Sequence, residues 1–594
     1  VAAPAPGTEL RVKIGGEAGF GIKAAGQTLA RVFAGAGLEI FDLTEYPSLI
    51  RGGHNTYTLR VSPSPISSHV EAVDVLVALN RETADLHLNE LVPGGALIYD
   101  PADGEPDLQP ELDVLPVAVP LTEAAREAGG KIMRNTVALG AVLGLVGFPL
   151  DRLAEAIRAQ FAKKAPEVAE SNIAAARAGY DHVRATVPEF WLRISPKPGA
   201  GRRLLVDGNE AIGLGALAAG IGFYAAYPMT PASSLLHFMA AHERDARVVV
   251  KHTEDEIAAM NMVVGAAFAG ARAMCATSGG GFALMVEAFG MAGVSESAVV
   301  VGVFTRPGPA TGMPTWTEQS DLRYVIHAAQ GEFPRVVLAP GDRTDAFELA
   351  WKAFNLADQL QTPVVILGDS YLSDNRQSVP YFDLDAVTVE RGKLIAEGDV
   401  TSRPEALGSD GRYLRYKLTE DGVSWRALPG VSGALQLANS YEHDEYGHGS
   451  AGEEAEVRAA QNDKRMRKLE LARSLVPPPA RFGPPPDEAD IGILVFGTTK
   501  GPALEAARWL SEDGVGVSVM QVVTVWPFPA EEVAAFIRAA KRTTIVEGNY
   551  AGQLRGLVRE QCLVDVDHAL HRFDGRPFSP ERIYDHVREV TRDA

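Results

Sequence analysis

The sequence predicts an α/β protein of three domains with mainly parallel sheets, and three observations carry that prediction. Short β-branched runs alternate with helical patterns along most of the chain, the order that parallel strands with crossover helices require. Two Pro- and Gly-rich breaks, SPKPGAG and VPPPARFGPPPD, interrupt the alternation. The third is length, since 594 residues exceed what one hydrophobic core organises.

Residues 8–190 read as the first α/β domain. LRVKI, LEIF, DVLVAL, ALIYD and VLPVAV have strand length and alternate with patterns such as KAAGQTLARVFAGAG, which predicts a largely parallel sheet. The loop Gly15-Gly16-Glu17-Ala18-Gly19-Phe20-Gly21 has its glycines out of register with a dinucleotide fingerprint, and Glu17 would repel a pyrophosphate. A tight turn packing helix on strand is the expected role. The loop from Tyr46 to Asn55 combines Pro, Gly, Arg51 and His54 before TYTLRVS, and reads either as a solvated turn or as a grip on an anion or interface.

Residues 191–203 form a linker, and 204–380 a second α/β domain with strands GFYAAY, RVVVK, RAMCAT, AVVVGVF, RVVLAP and TPVVILG. Its loops are unusually polar and Gly-rich: YPMTPASS, HTEDE, TSGGG and FTRPGPATGMPTWTEQSD. Such loops on one sheet edge predict one shared site. In YPMTP, Pro228 and Pro231 bracket Thr230 and predict a rigid, extended loop.

Residues 381–489 lose the alternation and become charged, with EEAEVRAAQNDKRMRKLELARSL expected as a solvated helix. His443 and His448 do not share a helix face, so no metal site is expected there. Residues 490–594 form the third α/β domain, from IGILVFG, GVSVMQVV and RTTIVEGN.

Composition narrows the class. The formal net charge of −20 disfavours nucleic acid and anionic membrane surfaces as partners. The longest apolar run, Ala211 to Tyr227, is too short and too glycine-broken to span a bilayer. VAAPAPGTEL lacks the features of a signal peptide, and two cysteines, Cys275 and Cys562, point to a reducing, cytoplasmic setting. Two thiols also cannot ligate an iron–sulfur cluster, which takes about four.

No nucleophile elbow, Walker A loop or CxxC pair is present. What remains is a constellation of Thr230, Glu256, the Ser278-Gly279-Gly280-Gly281 turn and Arg306. An arginine fork suits a carboxylate, a hydroxyl supports it, and a sheltered carboxyl exchanges a proton with a heterocycle nitrogen. Taken singly, Glu256 reads equally as a helix N-terminal acid, Ser278 as a cap and Arg306 as a surface residue.

YPMTPASS, GGEAGFGIKAAGQTLA, EYPSLIRGGHNTY and HTEDEIAAMNMVVGAAFAGARAMCATSGGG, in this order, resemble the 2-oxoacid:ferredoxin oxidoreductases. The gamma-then-alpha order is most similar to the large subunit of the 2-oxoglutarate enzymes. The resemblance implies that the second domain is a pyrimidine-binding domain of thiamine enzymes and the third transketolase C-terminal-like. It implies that Glu256 bonds N1′ of the thiamine aminopyrimidine, that Thr230 and Arg306 hold the 2-oxoacid, and that Tyr227, Pro228, Ser278 and Gly279 line the cofactor. The motif that holds diphosphate and magnesium is missing. The resemblance therefore implies a beta subunit supplying the diphosphate site, Mg2+ and a [4Fe-4S] cluster, with thiamine diphosphate shared between chains.

Coenzyme A as co-substrate, ferredoxin as electron partner and an (αβ)2 assembly follow from the same resemblance. The implied reaction is oxidative decarboxylation of 2-oxoglutarate to succinyl-CoA, reversible as reductive carboxylation. Alternatives are a pyruvate or other 2-oxoacid enzyme of the same family, or a non-redox transketolase-type subunit.

Overall fold

The computed structural model describes residues 9–592, apart from 50–51, 109–111 and 200. The first sheet contains β1 (Leu10–Glu17), β2 (Glu39–Glu45), β3 (His54–Ser62), β4 (Val73–Ala78), β5 (Leu91–Tyr99) and β6 (Val114–Ala118). Strands β1, β4, β5 and β6 run parallel, as expected. Strand β3 departs from that pattern, lying antiparallel to both β1 and β2. The reason is the connection: residues 46–53 make a hairpin-length link with no room for a crossover helix.

Next come β7 (Arg203–Val206), β8 (Phe223–Ala226), β9 (Val249–His252), β10 (Ala273–Thr277), β11 (Val299–Thr305), β12 (Val336–Leu338), β13 (Val364–Asp369) and β14 (Gln377–Pro380). Strands β8 to β13 form a parallel sheet in the order β12-β13-β11-β10-β8-β9. Strands β7 and β14 leave it and extend the first sheet antiparallel beyond β2. Both ends of the second unit are thereby stitched onto the first.

Beyond β14 lie a short pair, β15 (Leu394–Ile395) and β16 (Arg426–Ala427), and then β17 (Ala480–Phe482), β18 (Ile491–Val495), β19 (Val517–Gln521), β20 (Thr524–Trp526), β21 (Thr543–Glu547) and β22 (His568–His571). The third sheet, β17-β19-β18-β21-β22, is parallel except for edge strand β17. Strand β20 pairs antiparallel with β12 and ties this unit to the second sheet.

The two faces of the first sheet differ in chemistry. Leu10, Val12, Ile14, Leu59 and Val61 are fully or nearly fully buried in the helix-covered apolar core. The helices Arg134–Leu145 and Pro166–Thr186 cross at glycines, because a Cβ on Gly140 would stand 1.8 Å from the Ala176 carbonyl oxygen. The opposite face carries Arg11, Lys13, Thr58, Arg60 and Asp74, all buried. Arg60 pairs there with Glu505 of the third unit at 3.1 Å, so this polar face is an interdomain surface.

The charged segment corrects the expectation of a solvated helix. The helix Ala455–Leu475 buries Gln461, Lys464, Arg465 and Lys468 at 2% exposure or less. Lys464 and Lys468 donate to the fully buried Glu296 at 2.5 and 2.7 Å, and Arg465 makes a bidentate pair with Glu442. Charge patterning alone does not distinguish a helix whose lysines face water from one whose lysines face a buried acid. His443 is a structural residue: its ring nitrogens reach the carbonyls of Asp444 and Val294. Among the described residues no helix is long and apolar enough to cross a membrane.

Candidate active site

Parallel strands bring their C-terminal ends to one edge, and the loops after β8, β9, β10 and β11 meet there. After β8, Tyr227 to Met229 carry no regular secondary structure, and Thr230, expected in an extended loop, enters a turn closed by Ala232 N–H donating to the Met229 carbonyl at 2.8 Å. Fully buried Asn209 fixes this turn. Its Nδ2 donates to the Pro231 carbonyl at 2.9 Å and the Ser234 hydroxyl at 2.7 Å.

Arg306, at the end of β11, donates from Nη1 to the Thr230 carbonyl at 2.8 Å. The two residues singled out for substrate contact therefore touch. Burial lowers the Arg306 pKa from its ordinary value, and no acidic side chain pairs with it among the described residues. Its remaining N–H groups are a ready fork for a carboxylate. Tyr227 is 37% exposed and Pro228 half-buried, at the entrance of the loop.

Glu256 is the first residue of the helix Glu256–Phe268, whose N-cap Asp255 accepts from Ala258 N at 2.7 Å. The Glu256 side chain is buried at 2% exposure. Its one side-chain hydrogen bond is a long one, 3.4 Å from the Thr277 hydroxyl, and no cation pairs with it among the described residues. A carboxylate so placed is costly without a further donor. Gly281 is packed against it: a Cβ there would lie 2.5 Å from Glu256 Oε1 and 1.9 Å from Thr277 Oγ1.

Ser278 occupies the N-cap position of the helix Gly279–Val294, but its hydroxyl makes no cap hydrogen bond. That hydroxyl is fully buried and has no partner. Gly279 is hemmed in by Asp321, whose Oδ2 would stand 2.1 Å from an added Cβ. Burial pushes the Asp321 carboxyl up to about 6. The loop from Arg306 to Asp321 thus borders the glycine turn at both ends, since Gly280 also faces the Ala310 carbonyl oxygen. The same loop is anchored away from the site: Thr315 donates to the Tyr46 carbonyl at 2.6 Å, and Gln319 donates to the Phe496 carbonyl at 2.9 Å. Arg51, part of the loop that begins at Tyr46, lies outside the described residues.

The structure therefore gathers Glu256, Ser278 and Gly279 at one turn and Thr230 with Arg306 beside it. Asn209, Thr277 and Asp321 escaped the sequence reading. Asn209 sits in Asp207-Gly208-Asn209, which is not the motif that holds a diphosphate, and Thr277 and Asp321 carry no local signal. A buried hydroxyl without a partner, a buried carboxylate without a cation among the described residues, and two glycines, Gly279 and Gly281, with no space for a Cβ fit a bound heterocycle with donors of its own.

Comparison with known proteins identifies the family. Residues 214–462 match the family model described as pyruvate flavodoxin/ferredoxin oxidoreductase, thiamine diphosphate-binding. Residues 11–182 match pyruvate ferredoxin/flavodoxin oxidoreductase, and 489–583 match core domain II of pyruvate:ferredoxin oxidoreductase. The alpha subunit of 2-oxoacid:ferredoxin oxidoreductase 2 from Aeropyrum pernix is 34% identical, over 98% of each chain. The 2-oxoglutarate oxidoreductase subunit KorA of Mycobacterium tuberculosis is 28% identical over 93% of this chain and 87% of its own.

Among solved structures, 2-oxoglutarate:ferredoxin oxidoreductase from Magnetococcus marinus, with 2-oxoglutarate, coenzyme A and succinyl-CoA bound, superposes with a TM-score of 0.90. It is 32% identical, covering 98% of this chain and all of that one. With end-to-end similarity to its alpha subunits, this chain belongs to the 2-oxoacid:ferredoxin oxidoreductase family.

Proposed function

We propose that this chain is the alpha subunit of a cytoplasmic 2-oxoglutarate:ferredoxin oxidoreductase that works only with a beta subunit. The reaction converts 2-oxoglutarate and coenzyme A to succinyl-CoA and carbon dioxide, passing two electrons one at a time to ferredoxin, and it reverses as reductive carboxylation. The observation that carries the reading is Glu256, a carboxylate at 2% exposure with no cation beside it among the described residues and an unpartnered buried hydroxyl, Ser278, on the next strand's loop.

Bound thiamine diphosphate supplies a nucleophilic carbon and an electron sink for decarboxylation. Glu256 holds the proton at N1′ of its pyrimidine, and its burial strengthens that hydrogen bond. Ser278, Gly279, Tyr227 and Pro228 line the ring. Arg306 holds the carboxylate beside the substrate carbonyl, and the Thr230 turn aims it. The long loop from Arg306 to Asp321 limits water at the turn.

The beta subunit is assigned the diphosphate site, Mg2+ and the [4Fe-4S] cluster, since both thiols of this chain are buried and far apart in sequence. Apolar side chains are exposed next to the site. Ile257, Met262 and Phe268 are 49, 40 and 40% exposed and Leu284 51%, on the two helices that begin at Glu256 and Gly279. Helices apolar on every side are ordinarily covered. An (αβ)2 assembly completes the reading.

The experiment is viologen-dye reduction by the purified two-chain complex, with 2-oxoglutarate and pyruvate compared at saturating coenzyme A. A kcat/KM ratio above about 100 for 2-oxoglutarate supports the substrate assignment. The reverse ratio gives the pyruvate reading, which the names of the matching family models favour.

A further inference from the structure

A cavity of about 310 Å3 lies between the polar face of the first sheet and the segment Arg572–Arg582 of the third unit. Its floor is a cross-strand row, Lys13 on β1, Thr58 on β3 and Leu43 on β2, paired directly in register and so pointing to one side. Lys13 is 7% exposed and Thr58 6%, and the Thr58 hydroxyl is buried without a partner. His69, 6% exposed, forms part of the wall.

Counting donors against acceptors decides what belongs there. Two of the cavity's acids are engaged at both oxygens: Glu90 holds Lys13 with one and His87 with the other, and Glu45 takes Thr56 and Arg576. Glu71 accepts from Ser579 and Arg582 with a single oxygen. The cations are not used up. Arg572 spends Nε on Asp574 and Nη1 on the Pro577 carbonyl, leaving Nη2. Arg576 reaches only Glu45, through Nε at 3.5 Å, while its guanidinium stacks 3.3 Å from the Trp316 ring centre. Both of its Nη groups are unspent among the described residues, and so are two N–H bonds of Lys13.

His69 adds no charge of its own. Burial, then the charges of Arg572, Arg60 and Lys13, push its imidazole down to about 3, so it stays neutral in a positive field. Its Nδ1 and backbone N–H both contact the Tyr371 hydroxyl, which accepts from the N–H and donates to Nδ1, leaving the proton on Nε2.

We propose that this cavity binds a tetrahedral oxyanion of the phosphate class, gripped by Thr58, Lys13, Arg572 and Arg576 at the seam between the first and third units. The site is separate from the Thr230–Arg306–Glu256 constellation. Because it bridges two units and Arg576 stacks on the long loop after Arg306, an occupant clamps that loop's anchor.

The test is calorimetric titration of the full chain with inorganic phosphate in phosphate-free buffer, for wild type, Thr58→Val and Arg576→Gln. The expected result is saturable binding at a Kd near or below about 1 mM, weakened about tenfold or more in each variant. No saturable heat in the wild type, or equal affinity in all three proteins, overturns the proposal. Thermal melting of each variant confirms the fold, and Arg576→Gln, on a half-buried loop residue, keeps the test decisive if Thr58→Val does not fold. Competition identifies the source. Coenzyme A that displaces phosphate makes the oxyanion the phosphate end of a larger ligand, whereas phosphate binding indifferent to coenzyme A makes it the free ion.

Discussion

Replacing Glu296 with Gln should cost the fold about 3–5 kcal/mol at pH 7, the usual consequence of leaving a buried charge without its partner. Two ammonium groups, Lys464 and Lys468, at 0–1% side-chain exposure, are held by one carboxylate. Burial already pulls them down to about 7 and about 8, against the opposing pull of Glu296. Without the carboxylate, the folded protein must release protons that the unfolded chain keeps. That cost is greatest at low pH and fades as pH rises toward the ordinary lysine pKa of about 10.4.

The sign follows. The unfolded chain binds more protons between about pH 7 and 10, so stability from these lysines rises with pH across that window and is lost as pH falls. In urea unfolding of the full chain, Glu296→Gln should therefore lose about 3–5 kcal/mol at pH 7 and distinctly less at pH 9. Lys464→Met, which leaves one ammonium on one carboxylate, should be nearly neutral. A Glu296→Gln cost below about 1 kcal/mol, or one independent of pH, refutes the reasoning.

Three further outcomes test the site and its partner face. Gly281→Ala should abolish turnover of the complex, because the new methyl lands on Thr277 and Glu256, whereas Gly280→Ala, whose Cβ meets nothing closer than 3.8 Å, should retain it; steady-state rates check both. Arg306→Lys should raise KM for the 2-oxoacid about tenfold or more, a lysine offering a point charge where a fork is needed. Leu284→Glu, at a residue 51% exposed, should leave the chain's melting temperature unchanged yet prevent co-elution with the beta subunit on size exclusion.

Much of this was legible in the sequence. Period and punctuation gave the three α/β units, and the two prolines around Thr230 marked a loop that does meet Arg306. Glu256, Ser278 and Gly279 stood out as polar and glycine residues in loops that follow strands, and the structure places Glu256 and Gly279 at helix starts. What was hidden depends on long-range pairing. Strand β3 has the same β-branched composition as a parallel strand, and only its short link to β2 makes it antiparallel. The buried face of Lys464 and Lys468 depends on Glu296, which is 168 residues from Lys464. Asn209 and Asp321 act through a backbone carbonyl and a glycine far away in sequence, contacts no local pattern announces.

The most direct test of the central claim is Glu256→Gln in the two-chain complex, measured as 2-oxoglutarate- and coenzyme A-dependent viologen reduction, with bound thiamine diphosphate quantified alongside. The account predicts that the complex still assembles, while turnover falls by a factor of about 100 or more, since a buried amide cannot hold the pyrimidine proton. Turnover within a few-fold of wild type in a variant that retains the cofactor would contradict it and remove Glu256 from the chemistry.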